Sequence, residues 1–294
     1  MSTDIETASG KGHRDENFPV GSFLLPAALR PHVAAFYAFA RAADDIADNA
    51  HLTAKEKVAR LTRFAAALEG DAGAMAAVPK AARLRESCQQ TRVPLRHGLD
   101  LLAAFRQDAV KGRYQDWSEL RAYCQSSASP VGRFLLDLHG EQRGLWTASD
   151  ALCDALQVLN HLQDCQDDYR KLDRVYLPED WLEAAGETVA ALGASAASPG
   201  LRQVIDQCLD ATDSLLAEAG TLIPGLKSRR LAMESAVIHK LACRLSQRLR
   251  RGDPLATRVA LSKGDFARCG IAGVFAGLFP AKSGTAARAK AVRG

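Results

Sequence analysis

The chain has 294 residues, of which 47% are hydrophobic and 24% charged, with a net charge of +4; this composition supports a packed core and excludes an intrinsically disordered protein. Its seven cysteines are scattered without a CxxC pair, which argues against a disulfide-stapled secreted protein. The first residues lack the apolar stretch of a signal peptide, and no apolar run approaches the roughly 20 residues of a membrane-spanning helix. We therefore expect a cytoplasmic protein.

Hydrophobic residues recur at helical spacing along nearly the whole chain, and β-branched residues never form an alternating run of strand length. Pro26 and Pro31 precede an apolar stretch that predicts a helix ending near Asn49. A Gly/Ala/Ser/Pro segment at 193–200 predicts a loop. Further helices are predicted at about 53–69, 79–91, 95–111, 117–140, 148–170, 201–219, 228–251 and 256–278.

This pattern predicts one all-α domain. We expect the domain to occupy residues 17–281, between a disordered N-terminus (1–16) and a basic C-terminal tail (282–294).

Two pairs of aspartates, spaced four residues apart, lie in predicted helices that are otherwise apolar. Asp44 and Asp48 form the first pair, and Asp164 and Asp168 form the second. The spacing puts both carboxylates of a pair on one helix face, where they repel each other unless a cation lies between them. Mg²⁺ is a hard ion that prefers such oxygens and often bridges protein to phosphate. The pairs therefore predict a metal site, with a solvated surface face as the alternative.

Each of these helix faces continues with further polar side chains. Tyr37 and Arg41 precede the first pair, and Gln157 and Asn160 precede the second. Two apolar helices with such polar stripes are expected to face each other across a metal-containing cavity. Two other DxxxD pairs lie in ordinary amphipathic surroundings and are expected to be solvated, namely Asp150/Asp154 and Asp206/Asp210.

Four segments, in order, resemble the squalene and phytoene synthase family. FYAFARAADDIAD, from Phe36 to Asp48, resembles the first aspartate-rich motif of that family, and QVLNHLQDCQDD at 157–168 resembles the second. YCQSSASPVG at 123–132 and DRVYLPED at 173–180 are similar to two further family segments. The resemblance extends from about Asn17 to Lys263 and is more specific than any single DxxxD pair.

The resemblance implies an isoprenoid-synthase helical bundle with a central cavity, in which three Mg²⁺ ions are held around a diphosphate. It assigns metal or diphosphate contacts to Asp44, Asp48, Asn160, Asp164 and Asp168. It also implies that Arg41 contacts the diphosphate and that Tyr123 lies beside the substrate. The remaining candidates for substrate binding are Asn17, Phe18, Tyr37, Gln157, His161, Arg174 and Tyr176.

The sequence departs from condensing members of the family at two places. Gln163 stands where those members have an arginine, and ENFPVGS at 16–22 replaces their His-Ser-x-Ser/Thr-Phe segment. Both features look most like the hopanoid-pathway branch, the hydroxysqualene synthases, which ionise presqualene diphosphate and capture the rearranged cation with water. Gln163 then becomes a catalytic candidate that could hold this water together with Gln157 and His161.

We expect no NADPH, because the sequence has no GxGxxG loop. The alternatives are a head-to-head synthase that makes presqualene diphosphate or phytoene, and a non-catalytic scaffold relative. Retention of all four motif aspartates argues against the scaffold, since it has no reason to keep repelling carboxylates together.

The net charge conceals a strongly basic C-terminal end. Residues 227–294 contain 15 Lys/Arg and 3 Asp/Glu, whereas residues 1–226 contain 23 and 31. A basic end indicates an anionic partner or a solvated helix face. No nucleic-acid-binding pattern accompanies this basic end. The apolar stretch 270–281 lies between basic residues, so we expect docking on an anionic membrane surface. The alternative is a buried C-terminal helix.

Overall fold

The computed structural model describes residues 24–279 of the chain. The predicted N-terminus (1–16) and basic tail (282–294) lie outside the described residues, as do Asn17 and Phe18. Within 24–279 the fold is all-α, as predicted, and the β-type contact there is one isolated bridge between Tyr114 and Pro178.

The described part of the chain forms thirteen α-helices joined by short loops. They are α1 (Arg30–Ala47), α2 (Ala54–Glu69), α3 (Ala72–Ala77), α4 (Pro79–Thr91), α5 (Arg96–Asp108), α6 (Trp117–Ser127), α7 (Ser129–Leu138), α8 (Trp146–Leu172), α9 (Glu179–Ala184), α10 (Pro199–Ala219), α11 (Leu222–Gly225), α12 (Arg229–Arg251) and α13 (Lys263–Leu278). None of these helices is long and apolar enough to cross a membrane.

Proline and capping residues explain where the helices differ from the sequence prediction. The predicted helix 117–140 is two helices, because Ala128 leaves helical geometry and Pro130 lies in the first turn of α7. The last helix begins at Lys263 instead of 256, since Ser262 and Asp265 form a reciprocal capping box there. The short helices α3, α9 and α11 were not predicted.

The long helix α8 is the centre of the bundle and packs against α6, α7, α10 and α12. Its buried residues surround the helix axis, as expected for a helix covered on several sides. α1 packs against α2, α4 and α5 through its buried face, which includes Phe36, Phe39 and Ile46. The helices that carry the two aspartate pairs are therefore both fixed by the core.

A tight reversal after α8 turns the chain back toward α5. Asp173 adopts a left-handed conformation with φ of 51°, and the Val175 N–H then donates to the Gly112 carbonyl at 2.8 Å. The Arg113 guanidinium fixes the turn by donating to the carboxylate and the carbonyl oxygen of Asp173. This arrangement determines where Arg174 and Tyr176 project.

We predict that Gly112→Ala destabilises the protein, because a Cβ at this position would lie 2.6 Å from the Asp173 carbonyl oxygen. The free energy of unfolding should fall by about 1–3 kcal/mol, the usual cost of overpacking. Urea denaturation measures this change. Gly144→Ala is the control, since a Cβ there meets no atom within 4 Å; equal losses in both variants would contradict the prediction.

Candidate active site

The first aspartate pair lies at the C-terminal end of α1. Asp48 caps this helix, and its carboxylate accepts a hydrogen bond from the Arg174 guanidinium at 2.7 Å. A second Arg174 nitrogen donates to the Ala47 carbonyl at 2.8 Å. Arg174 is buried, so its charge is balanced by these contacts instead of by water. The first motif is thereby bound to the segment that follows α8.

The other predicted residues of the α1 face are half-buried and continue along the same side of the helix. Tyr37, Arg41 and Asp44 occupy successive turns before Asp48. The Arg41 side chain lies 3.2 Å from the Asp45 carboxylate, an i,i+4 ion pair.

The second aspartate pair lies in the C-terminal half of α8. The Asp164 carboxylate lies 3.6 Å from the Arg258 guanidinium, and the Asp168 carboxylate lies 3.7 Å from the His161 Nδ1 atom. Burial raises the pKa of Asp164, Arg258 opposes the rise, and the Asp168 and Asp167 carboxylates add to it. A further cation at this place would relieve that repulsion.

A cluster of buried aromatic rings lies next to the second pair. The His161 ring stacks on Tyr176 with centroids 3.5 Å apart, and Tyr123 stacks on Tyr176 at 5.6 Å. Tyr114 completes the cluster, 5.2 Å from Tyr123 and 5.7 Å from Tyr176. Arg174, two residues before Tyr176 in the sequence, binds Asp48. His161, a member of the cluster, lies beside Asp168. We call these four side chains, Tyr114, Tyr123, His161 and Tyr176, the ring cluster.

Asp108 is a member of the site that the sequence motifs did not identify. It is the last residue of α5, and its carboxylate accepts hydrogen bonds from the hydroxyls of Tyr123 at 3.0 Å and Tyr176 at 3.4 Å. Burial raises its pKa to about 6, against the lowering effect of Arg174, the Tyr123 hydrogen bond and His161. Asp108 and Tyr114 lie outside the four motifs, and no local pattern distinguishes them from ordinary helix-end and loop residues.

The structure brings Gln157 to the ring cluster but not Gln163. The Gln157 amide nitrogen lies 3.1 Å from the Nε2 atom of His161. The buried Gln163 amide instead donates to the Val259 carbonyl at 2.6 Å, on the side of α8 that faces the 252–262 segment. The expectation that Gln163 helps Gln157 and His161 to hold the capturing water stays a prediction. Gln163 holds the segment that carries Arg258.

The two comparison DxxxD pairs differ in their surroundings. Asp154 is fully buried and accepts a hydrogen bond from the Ser129 hydroxyl at 3.0 Å, and burial raises its pKa to about 6. The expectation that the Asp150/Asp154 pair is solvated is therefore wrong. The other pair is largely exposed and binds surface arginines, with Asp206 bound to Arg202 and Asp210 to Arg250.

The chemistry of the donor set fits Mg²⁺ held jointly with a phosphate group. The predicted ligands are four carboxylates and the half-buried Asn160, all of which offer oxygen. In residues 24–279, no three His, Cys, Asp or Glu side chains converge into a closed metal cluster. Mg²⁺ commonly binds one or two protein carboxylates and completes its shell with phosphate and water. The pairs match that open arrangement.

The family model for squalene/phytoene synthase matches residues 12–265 of the chain. The chain belongs to this family. It is 47% identical over 259 residues to the hydroxysqualene synthase of Zymomonas mobilis subsp. mobilis, covering 87% of this chain and 86% of that protein. It is 46% identical over 266 residues to the hydroxysqualene synthase of Rhodopseudomonas palustris, covering 90% of each.

A solved structure gives the same result for the fold. The crystal structure of squalene synthase HpnC from Alicyclobacillus acidocaldarius superimposes with a TM-score of 0.69 at 32% sequence identity, covering 79% of this chain and 87% of that one. The predicted resemblance to the hydroxysqualene synthase branch is confirmed. The family places this chain among enzymes that act on isoprenoid diphosphates.

We predict that Arg174→Met lowers the free energy of unfolding by about 3 kcal/mol or more, because it removes the buried guanidinium that donates to the partly buried Asp48 carboxylate and to the Ala47 carbonyl, which Lys57 also contacts. Arg250→Met removes surface ion pairs with Asp210 and Asp213 and should cost less than about 1 kcal/mol. Urea denaturation of both variants provides the measurement. A loss of stability in Arg174→Met no larger than that in the control would contradict a stabilising role for the buried contact between Arg174 and Asp48.

Proposed function

We propose that this enzyme converts presqualene diphosphate and water to hydroxysqualene and diphosphate, as a step of squalene and hopanoid biosynthesis. The observation that carries the proposal is the arrangement of two carboxylate pairs and one buried ring cluster, connected by Arg174 and His161. The names of relatives at 46–47% identity support the same reaction.

In this proposal, the polar rim of the site binds the diphosphate. Three Mg²⁺ ions would be held by the carboxylates and the amide of this rim, which belong to Asp44, Asp48, Asn160, Asp164 and Asp168. When bound, the metal supplies positive charge that stabilises the leaving diphosphate. Arg41 on α1 and Arg258 beside Asp164 add two cationic side chains to the same rim. Arg258 would exchange its carboxylate partner for a phosphate oxygen.

The ring cluster would serve the hydrocarbon part of the reaction. Aromatic faces attract cations through their quadrupoles, and buried walls keep stray water away from a carbocation. Tyr123 and Tyr176 are both nearly inaccessible to solvent. Gln157 and His161 would hold the one water that captures the cation, and the proposal needs no nicotinamide. With Gln163 directed to Val259, the site has no arginine at that position for a second diphosphate.

We predict that Asp44→Asn, Asp164→Asn and Asp168→Asn each reduce turnover by roughly two orders of magnitude or more, because an amide is a neutral and poorer ligand. Stability should stay equal or rise for Asp164→Asn, since burial and like charges disfavour its ionised form. Diphosphate release and urea denaturation measure the two effects. Asp206→Asn, on the exposed pair, is the control and should be nearly silent; equal losses in all four variants would contradict the metal assignment.

The product distinguishes this function from its alternatives. Presqualene diphosphate with Mg²⁺ should yield hydroxysqualene and diphosphate, unchanged by added NADPH, as mass analysis of the lipid can show. Presqualene diphosphate formed from farnesyl diphosphate alone at a comparable rate would favour a condensing synthase. Squalene formed only with NADPH would overturn water as the terminator, and absence of any turnover would favour a scaffold.

We further propose that this cytoplasmic enzyme docks on an anionic membrane surface through α13 and the basic C-terminal region, with no nucleic-acid partner. α13 packs against α12 by its glycine face: a Cβ at Gly273 or Gly277 would lie 2.5 or 2.4 Å from an α12 backbone atom. The opposite face exposes apolar side chains, with Ile271 63% and Phe275 61% accessible. An exposed apolar face of this kind often marks a surface that binds a partner or a membrane.

Charge around this helix supports a lipid partner. The N-terminus of α13 is held by Asp265, which binds Arg244 and Arg248, so the apolar face is presented on a fixed helix. Lys263 and Arg268 are exposed beside it. The sequence that follows, 280–294, contains four basic residues and no acidic one. Apolar insertion and attraction to anionic lipid add together at such a surface.

We predict that vesicles of phosphatidylglycerol and phosphatidylcholine bind the protein in a flotation assay, and that binding weakens with salt. The double variant Ile271→Ser/Phe275→Ser should bind about tenfold more weakly or worse, because two apolar side chains no longer enter the bilayer. Val110→Ser, at a distant exposed apolar residue, is the control. Absence of vesicle binding at low salt would contradict the proposed membrane docking. Self-association of the protein without vesicle binding, abolished in the double variant, would also contradict it.

A further inference from the structure

Asp108 is a buried carboxylate for which the proposed reaction has so far no use. It lies at the C-terminal end of α5, and its two hydrogen-bond donors are phenol hydroxyls, Tyr123 at 3.0 Å and Tyr176 at 3.4 Å. Burial raises the pKa of both tyrosines well above the usual value, so their hydroxyls stay protonated and donate. A carboxylate behind two phenols can receive a proton that enters at a phenol oxygen.

The other polar groups around Asp108 also contact further partners. Arg174 binds Asp48 and Ala47. His161 has Gln157 on one ring nitrogen and Asp168 on the other side. The charged or titratable groups that face Asp108 from the surrounding elements are Asp48, Lys57, Tyr114, Tyr123, Cys124, His161, Arg174 and Tyr176.

Water capture of a carbocation needs a proton acceptor. The oxygen lone pair of water forms the new C–O bond, and the product is first a protonated alcohol, which is a strong acid. Unless a base removes its proton, the C–O bond breaks again and the cation returns. A base that is already in position can trap the alcohol.

We propose that Asp108 is the acceptor of this proton, reached through the Tyr123 hydroxyl; the inference rests on the proposed function. One O–H bond of the captured water breaks and its proton passes to the Tyr123 oxygen, while the Tyr123 proton moves to Asp108 Oδ2. The carboxylate becomes a carboxylic acid, the alcohol is neutral, and the acid returns its proton to solvent after product release. No oxidant or reductant is required.

The buried environment suits this role. A pKa of about 6 makes Asp108 a stronger base than an ordinary aspartate, yet it leaves the group mostly ionised at neutral pH. The 3.0 Å contact with Tyr123 is already a hydrogen bond of the length that proton transfer needs. Tyr176 offers a second donor that keeps the carboxylate oriented.

The test measures ionisation and capture separately, as diphosphate released and hydroxysqualene formed from presqualene diphosphate with Mg²⁺. Asp108→Asn should still release diphosphate, but hydroxysqualene per diphosphate should fall about tenfold or more, with alkenes and other alcohols in its place. Tyr123→Phe should give the same diversion, and Asp108→Glu should partly restore the ratio.

Asp154→Asn is the matched control, because Asp154 is a buried carboxyl with the same raised pKa and a serine partner instead of a tyrosine. Its product ratio should equal that of the wild type. In the wild type the ratio should fall as the pH drops through about 6, since a protonated Asp108 cannot accept a proton, and in Asp108→Asn it should not depend on pH.

A folded Asp108→Asn variant with the wild-type product ratio would overturn the inference. A folded variant that releases no diphosphate would also overturn it, since Asp108 would then act in ionisation. If Asp108→Asn fails to fold, a wild-type ratio in Tyr123→Phe overturns the route through the phenol. Failure of the proposed function is separate from these outcomes, because the wild type itself would then form no hydroxysqualene.

Discussion

The geometry of the site depends on one buried ion pair. Arg174 binds both the Asp48 carboxylate and the Ala47 carbonyl, and therefore holds the negative end of the α1 dipole with the same guanidinium. Its neighbour Tyr176 stacks on His161 of α8. Because Arg174 is buried, the two ends of this contact cannot separate without leaving a charge unsolvated. The distance between the two aspartate-bearing helices follows from this contact.

The same contact shows how a site can hold several like charges before its substrate arrives. Asp48, Asp164 and Asp168 each lie within 4 Å of a side-chain nitrogen, from Arg174, Arg258 and His161 respectively. The chain thus supplies countercharges from the 174 turn and the 252–262 segment, and α8 itself supplies the His161 ring. Of these three contacts, the one between Arg258 and Asp164 is the most exposed, so Asp164 is the carboxylate that can change partners at low cost.

The sequence was sufficient for the fold class and for the positions of most long helices, because hydrophobic periodicity and proline placement act locally. It also identified Asp48, Tyr123, His161 and Tyr176, since each stands in a segment that resembles the family. Asp108 and Tyr114 could not be found in this way: they matter because α5 and the loop after it pack on α6 and on the 173–178 turn. Such partners depend on tertiary packing and leave no local pattern.

The contact between Gln163 and Val259 could not be predicted for a related reason. The residue type departs from the family, but the sequence does not say which face of α8 carries it or what lies opposite. The same holds for Asp154. An aspartate on an amphipathic helix is expected to be exposed to solvent, but Asp154 is buried in the core, where it accepts a hydrogen bond from Ser129. Burial of a polar residue is decided by its neighbours in space.

The hydrogen bond from Gln163 to Val259 has a consequence for any attempt to introduce an arginine at this position. An arginine introduced at 163 could still donate to the Val259 carbonyl, but its longer, charged head would have to enter a space that now fits a neutral amide. The 252–262 segment would shift and would carry Arg258 away from Asp164. Redesign at position 163 therefore has to exchange that segment together with the side chain, as a unit.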